Sequence, residues 1–243
     1  KNQEALVISL DMLLYGGLIP SRLHHLSQET LEKRLEVLKE IKQINPRIKI
    51  YAFECIMRCP QYNSSEEEPD YYEDYGYALF KKKYLEDKKE RETLTSEEEL
   101  EKNNLSIPED IIEDYEQRRH INCMMNRITL KYLEEDIIDF LVIPQDDSSP
   151  FGYTAKDQKL ILKEIKDKQL EFKVMVYPGA DEVGLSLMTR AYNDYYHIQP
   201  KIYPFYASVL GPTIVPLYED RPMLESLKSH ILVTGAKLVM DET

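Results

Sequence analysis

The chain predicts an α/β fold, an incomplete (β/α) barrel of about six parallel strands alternating with helices, with a helical insertion after the second strand. Three observations carry this expectation. Short apolar runs such as ALVISL, IKIYAF and FLVI are unbroken rather than alternating, which marks parallel strands covered on both faces. Segments of helical periodicity separate them. Each run breaks into a polar loop before the next helix, as right-handed crossovers require. Eight such units close a barrel. An open doubly wound sheet is the other arrangement these rules allow.

The elements follow in order. Ala5 to Leu10 reads as the first strand and breaks at Asp11 and the Gly16-Gly17 pair, where glycine permits positive φ or close backbone approach. Ser27, with Glu29 and Glu32 behind it, opens a helix whose apolar positions are Leu31, Leu35, Leu38 and Ile41. Asn45-Pro46 stops that helix, and Ile48 to Phe53 is the second strand. Residues 60–106 are polar, Tyr-rich and helical in composition, too long for a plain loop, and read as an insertion or lid. Pro108 starts a long helix with core contacts expected at Ile111, Ile112, Tyr115, Met124, Ile128 and Leu133. Strand Phe140–Ile143, helix Ala155–Lys168, strand Phe172–Val176, helix Val183–Tyr196 and strand Lys201–Tyr206 follow. A helix near Pro222–Ser229 leads into ILVTGAKLVM.

Composition bounds the function. With 243 residues, 42% hydrophobic and 31% charged, the chain is expected to form one α/β domain over 1–243. It starts without Met and stops just after an apolar run, so both ends read as cuts in a longer protein. The 31 basic and 44 acidic residues give a net charge of −13, which argues against nucleic acid as a partner. Much of that charge lies in EEEPDYYED and SEEELEK, runs expected to be solvated faces. No run has membrane-spanning length and no signal peptide is recognisable, so no membrane partner is expected. Three cysteines do not make a disulfide framework, and the expected compartment is a reducing cytoplasm. Oligomeric state is not legible.

The chemistry is expected where strands end, because loops leaving their carboxyl ends build α/β active sites. Asp146 and Asp147 follow the third strand directly. As a pair they suit acid/base work, since neighbouring carboxylates push each other's pKa apart. The plainer alternative is an Asx-turn or a cap on the following helix. Tyr177, Asp181 and Glu182 leave the fourth strand in YPGADEVG, where Asp181 could equally cap a helix. Asp11 and Arg22 follow the first strand, and Glu54 and Arg58 the second, the latter two also readable as a structural ion pair. Tyr206 ends the fifth expected strand, Lys201–Tyr206, and the amphipathic rings of Tyr177 and Tyr206 suit sugar contacts. Cys55, Cys59, His120 and Cys123 could form a zinc set, but small buried hydrophobes are the better reading of the cysteines. The Gly pair lacks the spacing of a phosphate-binding loop, and neither cofactor nor metal is expected.

LDMLLYGGLIPSR, MRCPQYNSSEEEPDYYEDYG, IPQDDSSPFGYTAKDQ and YPGADEVGLSLMTR together resemble the bacterial family numbered 4127 among the domains of unknown function. That resemblance runs through most of the chain and implies a longer parent protein, but no activity. Through the Asp-Asp pair the chain more distantly resembles retaining β-N-acetylhexosaminidases of the O-GlcNAc hydrolase type. The likeness implies that Asp146 orients a substrate acetamido group and Asp147 protonates the glycosidic oxygen, with the sugar's own amide as nucleophile. The leading expectation is therefore a glycoside hydrolase-like enzyme acting on a carbohydrate or other small molecule. A non-catalytic carbohydrate-binding module and a metal-dependent hydrolase using the same carboxylates are the alternatives.

Overall fold

A computed structural model describes residues 3–240. Four parallel strands, β1 (Ala5–Ser9), β2 (Lys49–Phe53), β3 (Phe140–Gln145) and β4 (Val174–Pro178), lie in the order β1-β2-β3-β4. The register is regular: Ala5 faces Lys49, Tyr51 faces Phe140 and Leu141 faces Val174. Two further parallel strands, β5 (Lys201–Ile202) and β6 (Lys237–Leu238), pair only with each other.

The helices are α1 (Leu10–Tyr15), α2 (Leu18–Leu23), α3 (Gln28–Leu35), α4 (Val37–Ile44), α5 (Tyr72–Arg91), α6 (Ser96–Asn104), α7 (Glu109–Glu134), α8 (Tyr153–Asp167), α9 (Val183–Tyr196) and α10 (Met223–Val233). Four of the six expected strands form one parallel sheet, whereas the last two are shorter than their apolar runs and pair only with each other. The helix expected after Ser27 is two helices, α3 and α4, meeting at Glu36. Ser27 caps the first of them through the Thr30 N–H, as its sequence position predicts. In α7, Tyr115, Ile128 and Leu133 are buried, while Ile111, Ile112 and Met124 are only partly so.

Strand residues alternate between two cores, the period of two that a sheet imposes. Leu6, Ile8, Ile50, Ala52, Leu141, Ile143, Val174 and Val176 pack with α1, α3, α4, α7 and α8. Val7, Tyr51, Phe53, Phe140, Val142, Met175 and Tyr177 pack with Val183, Leu187 and Ala191 of α9 and Val233 of α10. Both faces of the sheet are thus covered, which is why each strand reads as an unbroken apolar run. A (β/α) barrel keeps its helices outside and fills its interior with side chains alone. Here α9 lies across the face that would be that interior, and no barrel closure is seen among the described pairings.

Residues 60–106 contain α5 and α6, as their composition predicts. A third core of Met57, Cys59, Tyr72, Leu79, Tyr115 and Tyr153 ties α5 to α7 and to the start of α8. Among the described residues, no helix is long and apolar enough to cross a membrane.

Candidate functional site

The carboxyl ends of β1, β2 and β3 gather two adjoining polar clusters. The inner one is formed by Asp11 in the first turn of α1 and Glu54 just past β2, both buried. Asp11 Oδ2 accepts the Cys55 N–H at 3.0 Å, and Glu54 Oε2 accepts the Thr129 hydroxyl at 2.7 Å. Burial raises the Asp11 carboxyl to about 6. Burial, and then the charge of Asp11, raises Glu54 to about 8. Tyr15 Oη, Glu54 Oε1 and Asn126 Oδ1 are buried here without hydrogen-bond partners. Glu54 does not pair with Arg58, contrary to the structural ion pair its spacing allows.

The outer cluster is built on two guanidinium groups. Arg22 in the last turn of α2 donates to Glu67 Oε2 at 3.0 Å, Glu68 Oε1 at 3.4 Å and Asp146 Oδ2 at 3.2 Å. Arg58 donates to Glu68 at 2.7 Å, Glu67 at 2.8 Å, Asp146 at 3.2 Å and the Tyr62 hydroxyl at 3.2 Å. Asp147 Oδ2 stands 3.5 Å from the same Arg58 Nη1. Burial opposes the Arg58 charge, but the bond to Glu68 and the surrounding carboxylates outweigh it and raise its pKa. The loop that carries Arg58 is held from α7: Arg119 donates to the carbonyls of Met57 at 2.6 Å and Arg58 at 3.2 Å, and the Tyr115 hydroxyl to that of Arg58 at 3.0 Å.

Adjacent residues on an extended strand point to opposite sides. Asp147 avoids this by taking a left-handed conformation, φ 44°, which turns both carboxylates onto one guanidinium. Asp tolerates that conformation better than most residues, and such strain concentrates at functional positions. Burial, and then the neighbouring Asp146, raises the Asp147 carboxyl above its ordinary range. Neither aspartate caps α8. Its N-terminal residue Gly152 has φ +99° and donates its N–H to Asp87 of α5 at 2.8 Å. Asp87 also binds Arg91, which in turn donates to the Pro150 carbonyl at 2.7 Å. The insertion is thereby clasped to the Asp146–Asp147 loop.

The residues after β4 lie apart from the arginines. Asp181 is exposed and caps no helix; α9 begins after Glu182 with no side-chain cap. Glu182 pairs with His230 of α10, whose other ring nitrogen faces the Ser226 carbonyl at 2.6 Å. Tyr177 is buried with its ring edge-on to His230 at 5.0 Å, and burial raises its phenol. Tyr206 is half-buried in the segment before α10, its oxygen unpartnered. Cys55, Cys59 and Cys123 are buried free thiols, and no metal-holding group of three His, Cys, Asp or Glu exists among the described residues.

Glu67, Glu68, Tyr62, Arg119, Thr129 and Asn126 escaped the sequence reading. The acidic run EEEPDYYED reads as a solvated face, yet Glu68 is buried between two arginines. The available signal was MRCPQYN just before it, which places Arg58 and Tyr62 on the same loop. A separate cavity of about 750 Å³ opens at the opposite ends of the strands, lined by Tyr51, Asp139, Phe140, Arg190 and Asp194 among others. Arg190 lies over the Phe140 ring there at 3.6 Å and pairs with Asp194 at 3.7 Å.

The fold and this cluster define an α/β protein with a charged polar site at the carboxyl ends of its parallel strands. The chain belongs to the family described as "Protein of unknown function (DUF4127)", whose model matches residues 1–243. No curated protein and no solved structure matches it.

Proposed function

We propose that the outer cluster is a hydrolytic acid/base site acting on a carbohydrate-like substrate, with Asp147 as proton donor and Asp146 as the orienting partner. The observation that carries this reading is the unequal treatment of two adjacent carboxylates. Asp146 shares one oxygen between Arg22 and Arg58, whereas Asp147 reaches Arg58 alone, at 3.5 Å, and its carboxyl is raised. A raised carboxyl beside a neighbour held by two arginines is the arrangement that divides proton donation from orientation. Tyr62 supports the sugar class: its ring is partly exposed beside the carboxylates and its hydroxyl is fixed by Arg58. Asp11 and Glu54 lie beneath, too buried to touch substrate; Asp11 positions the loop by accepting the Cys55 N–H, and Glu54 is held by Thr129.

The metal-dependent alternative is disfavoured because no three His, Cys, Asp or Glu side chains among the described residues are placed to hold a metal ion. A non-catalytic sugar-binding module uses the same geometry. A panel of aryl glycosides separates the three. Turnover that survives a chelator and falls by about 100-fold or more in Asp147→Asn, the scale of general acid catalysis, is the expected result. Full activity in Asp147→Asn refutes the assignment. Saturable binding without turnover favours the module, and loss on chelation favours the metal.

A further inference from the structure

Resting on the acid/base reading, we propose that the segment Tyr218 to Arg221 is a strap that sets the geometry of the Asp146–Asp147 pair, with Arg221 as its positioning residue. The two aspartates are flanked by buried polar residues, Gln145 at the end of β3 and Ser148, which are 2% and 5% exposed. Ser148 donates both its backbone N–H, at 2.9 Å, and its hydroxyl, at 3.1 Å, to the Tyr218 carbonyl. Gln145 accepts from Arg221 Nη2 at 3.0 Å and donates to Asp220 Oδ2 at 3.4 Å. The residue before the pair and the residue after it are thus held by the same short segment, 70 to 76 positions further along the chain.

Arg221 makes the strap rigid. Its guanidinium donates to Asp220 through Nε at 2.7 Å and Nη2 at 3.3 Å, to Gln145, and to the Val176 carbonyl of β4 at 3.3 Å. A planar fork can serve these directions together, whereas an ammonium is a single point of donors. Gln158 of α8 completes the network, donating to Gln145 Oε1 at 2.9 Å and Asp220 Oδ2 at 3.0 Å. At its base the loop is closed by the Met223 N–H on the Ile214 carbonyl at 2.8 Å. The strap is therefore tied to the carboxyl ends of both β3 and β4.

The backbone supports the same assignment. Asp147 and Tyr218 both take left-handed conformations, φ 44° and 69°, and the two turns meet at Ser148. Such conformations persist where the surroundings over-determine them, and they cluster at active sites. The Asp147 side chain reaches only Arg58, at 3.5 Å, among the described residues, so its aim is set by the backbone that carries it. That backbone is what the strap holds.

The test compares Arg221→Ala, Arg221→Lys and Ser148→Ala with the wild-type chain. Hydrogen exchange over residues 145–151 should accelerate about tenfold or more in Arg221→Ala, with β1 and β2 unchanged. Carbon-13 NMR titration should show the Asp147 carboxyl, raised in the wild type by burial and by Asp146, returning toward its ordinary range as the turn opens to water. Arg221→Lys keeps the charge without the fork and should match Arg221→Ala. Ser148→Ala keeps the backbone bond and should shift less, in the same direction. For any aryl glycoside that is turned over, kcat should fall with little change in KM, and the alkaline limb of its pH profile should move lower. If Arg221→Ala does not fold, the other two variants carry the test. Exchange that accelerates evenly over the whole chain with the Asp147 titration unmoved marks a merely structural role and overturns the inference, as does wild-type behaviour of Arg221→Lys. A shifted Asp147 titration without turnover of any glycoside upholds the strap and sinks the acid/base reading. Wild-type turnover with the Asp147 titration unmoved in every variant does the reverse.

Discussion

Replacing Glu54 by Gln separates the cost of a buried charge from the value of its contacts. The side chain is buried, accepts one hydrogen bond from Thr129 at 2.7 Å, and leaves Oε1 without a partner. Its carboxyl is raised to about 8 from an ordinary 4.5. The folded protein thus holds a proton that the unfolded chain releases, so stability falls as pH rises through that window and is level above it. At about 1.4 kcal/mol per pH unit, the gap amounts to about 5 kcal/mol. Gln keeps the Thr129 acceptor and has no charge to desolvate. For a chain of this length, about 5 kcal/mol corresponds to roughly 10 °C in Tm. Thermal melts by circular dichroism should show Glu54→Gln about 10 °C above wild type at pH near 9 and within about 2 °C of it at pH near 4. Asp11, raised to about 6, adds a dependence of the same sign at lower pH. A gap between variant and wild type that does not change with pH would refute the reasoning, because the cost would then not be that of charge.

Other outcomes follow from the outer cluster. At φ 44°, Asp147→Ala places a Cβ-bearing, non-hydrogen-bonding residue in the left-handed region and should lose about 1 kcal/mol relative to Asp147→Gly in urea unfolding. Equal stabilities would show that the loop relaxes. Gly76→Ala would set a Cβ 2.3 Å from Tyr72 Cδ1 and 2.5 Å from the Tyr62 carbonyl oxygen, which as backbone cannot simply rotate away. It should cost about 1–3 kcal/mol despite alanine's better helix propensity, and weaken ligand binding by displacing Tyr62. An unchanged urea midpoint with unchanged binding would refute that.

The elements were legible because their signals are local. Unbroken apolar runs and helical periodicity mark β1 to β4, α7, α8 and α9, and Ser27 announces its own helix cap. A four-stranded parallel sheet and the helices of residues 60–106 follow from the same signals. The candidate site was legible in part: Asp11, Arg22, Glu54, Arg58, Asp146 and Asp147 all sit at the ends of the first three strands, where the strand-end rule places them. That rule says where a loop emerges but not which way its side chains turn: Glu182 pairs with His230, Asp181 is exposed, and Tyr206 lies past the end of the short β5.

Tertiary structure alone decided the rest. Period-two alternation assigns residues to two faces but does not say what covers each, so only packing reveals α9 across the second face. Pairing depends on distance in space, not spacing along the chain: Glu54 meets Thr129 rather than Arg58, and Glu68 leaves a seemingly solvated acidic run to lie between two arginines. The sequence by itself determined that two carboxylates stand at the end of β3. The left-handed turn at Asp147, fixed by backbone torsion and a loop clasped to α5, decided that both face one guanidinium.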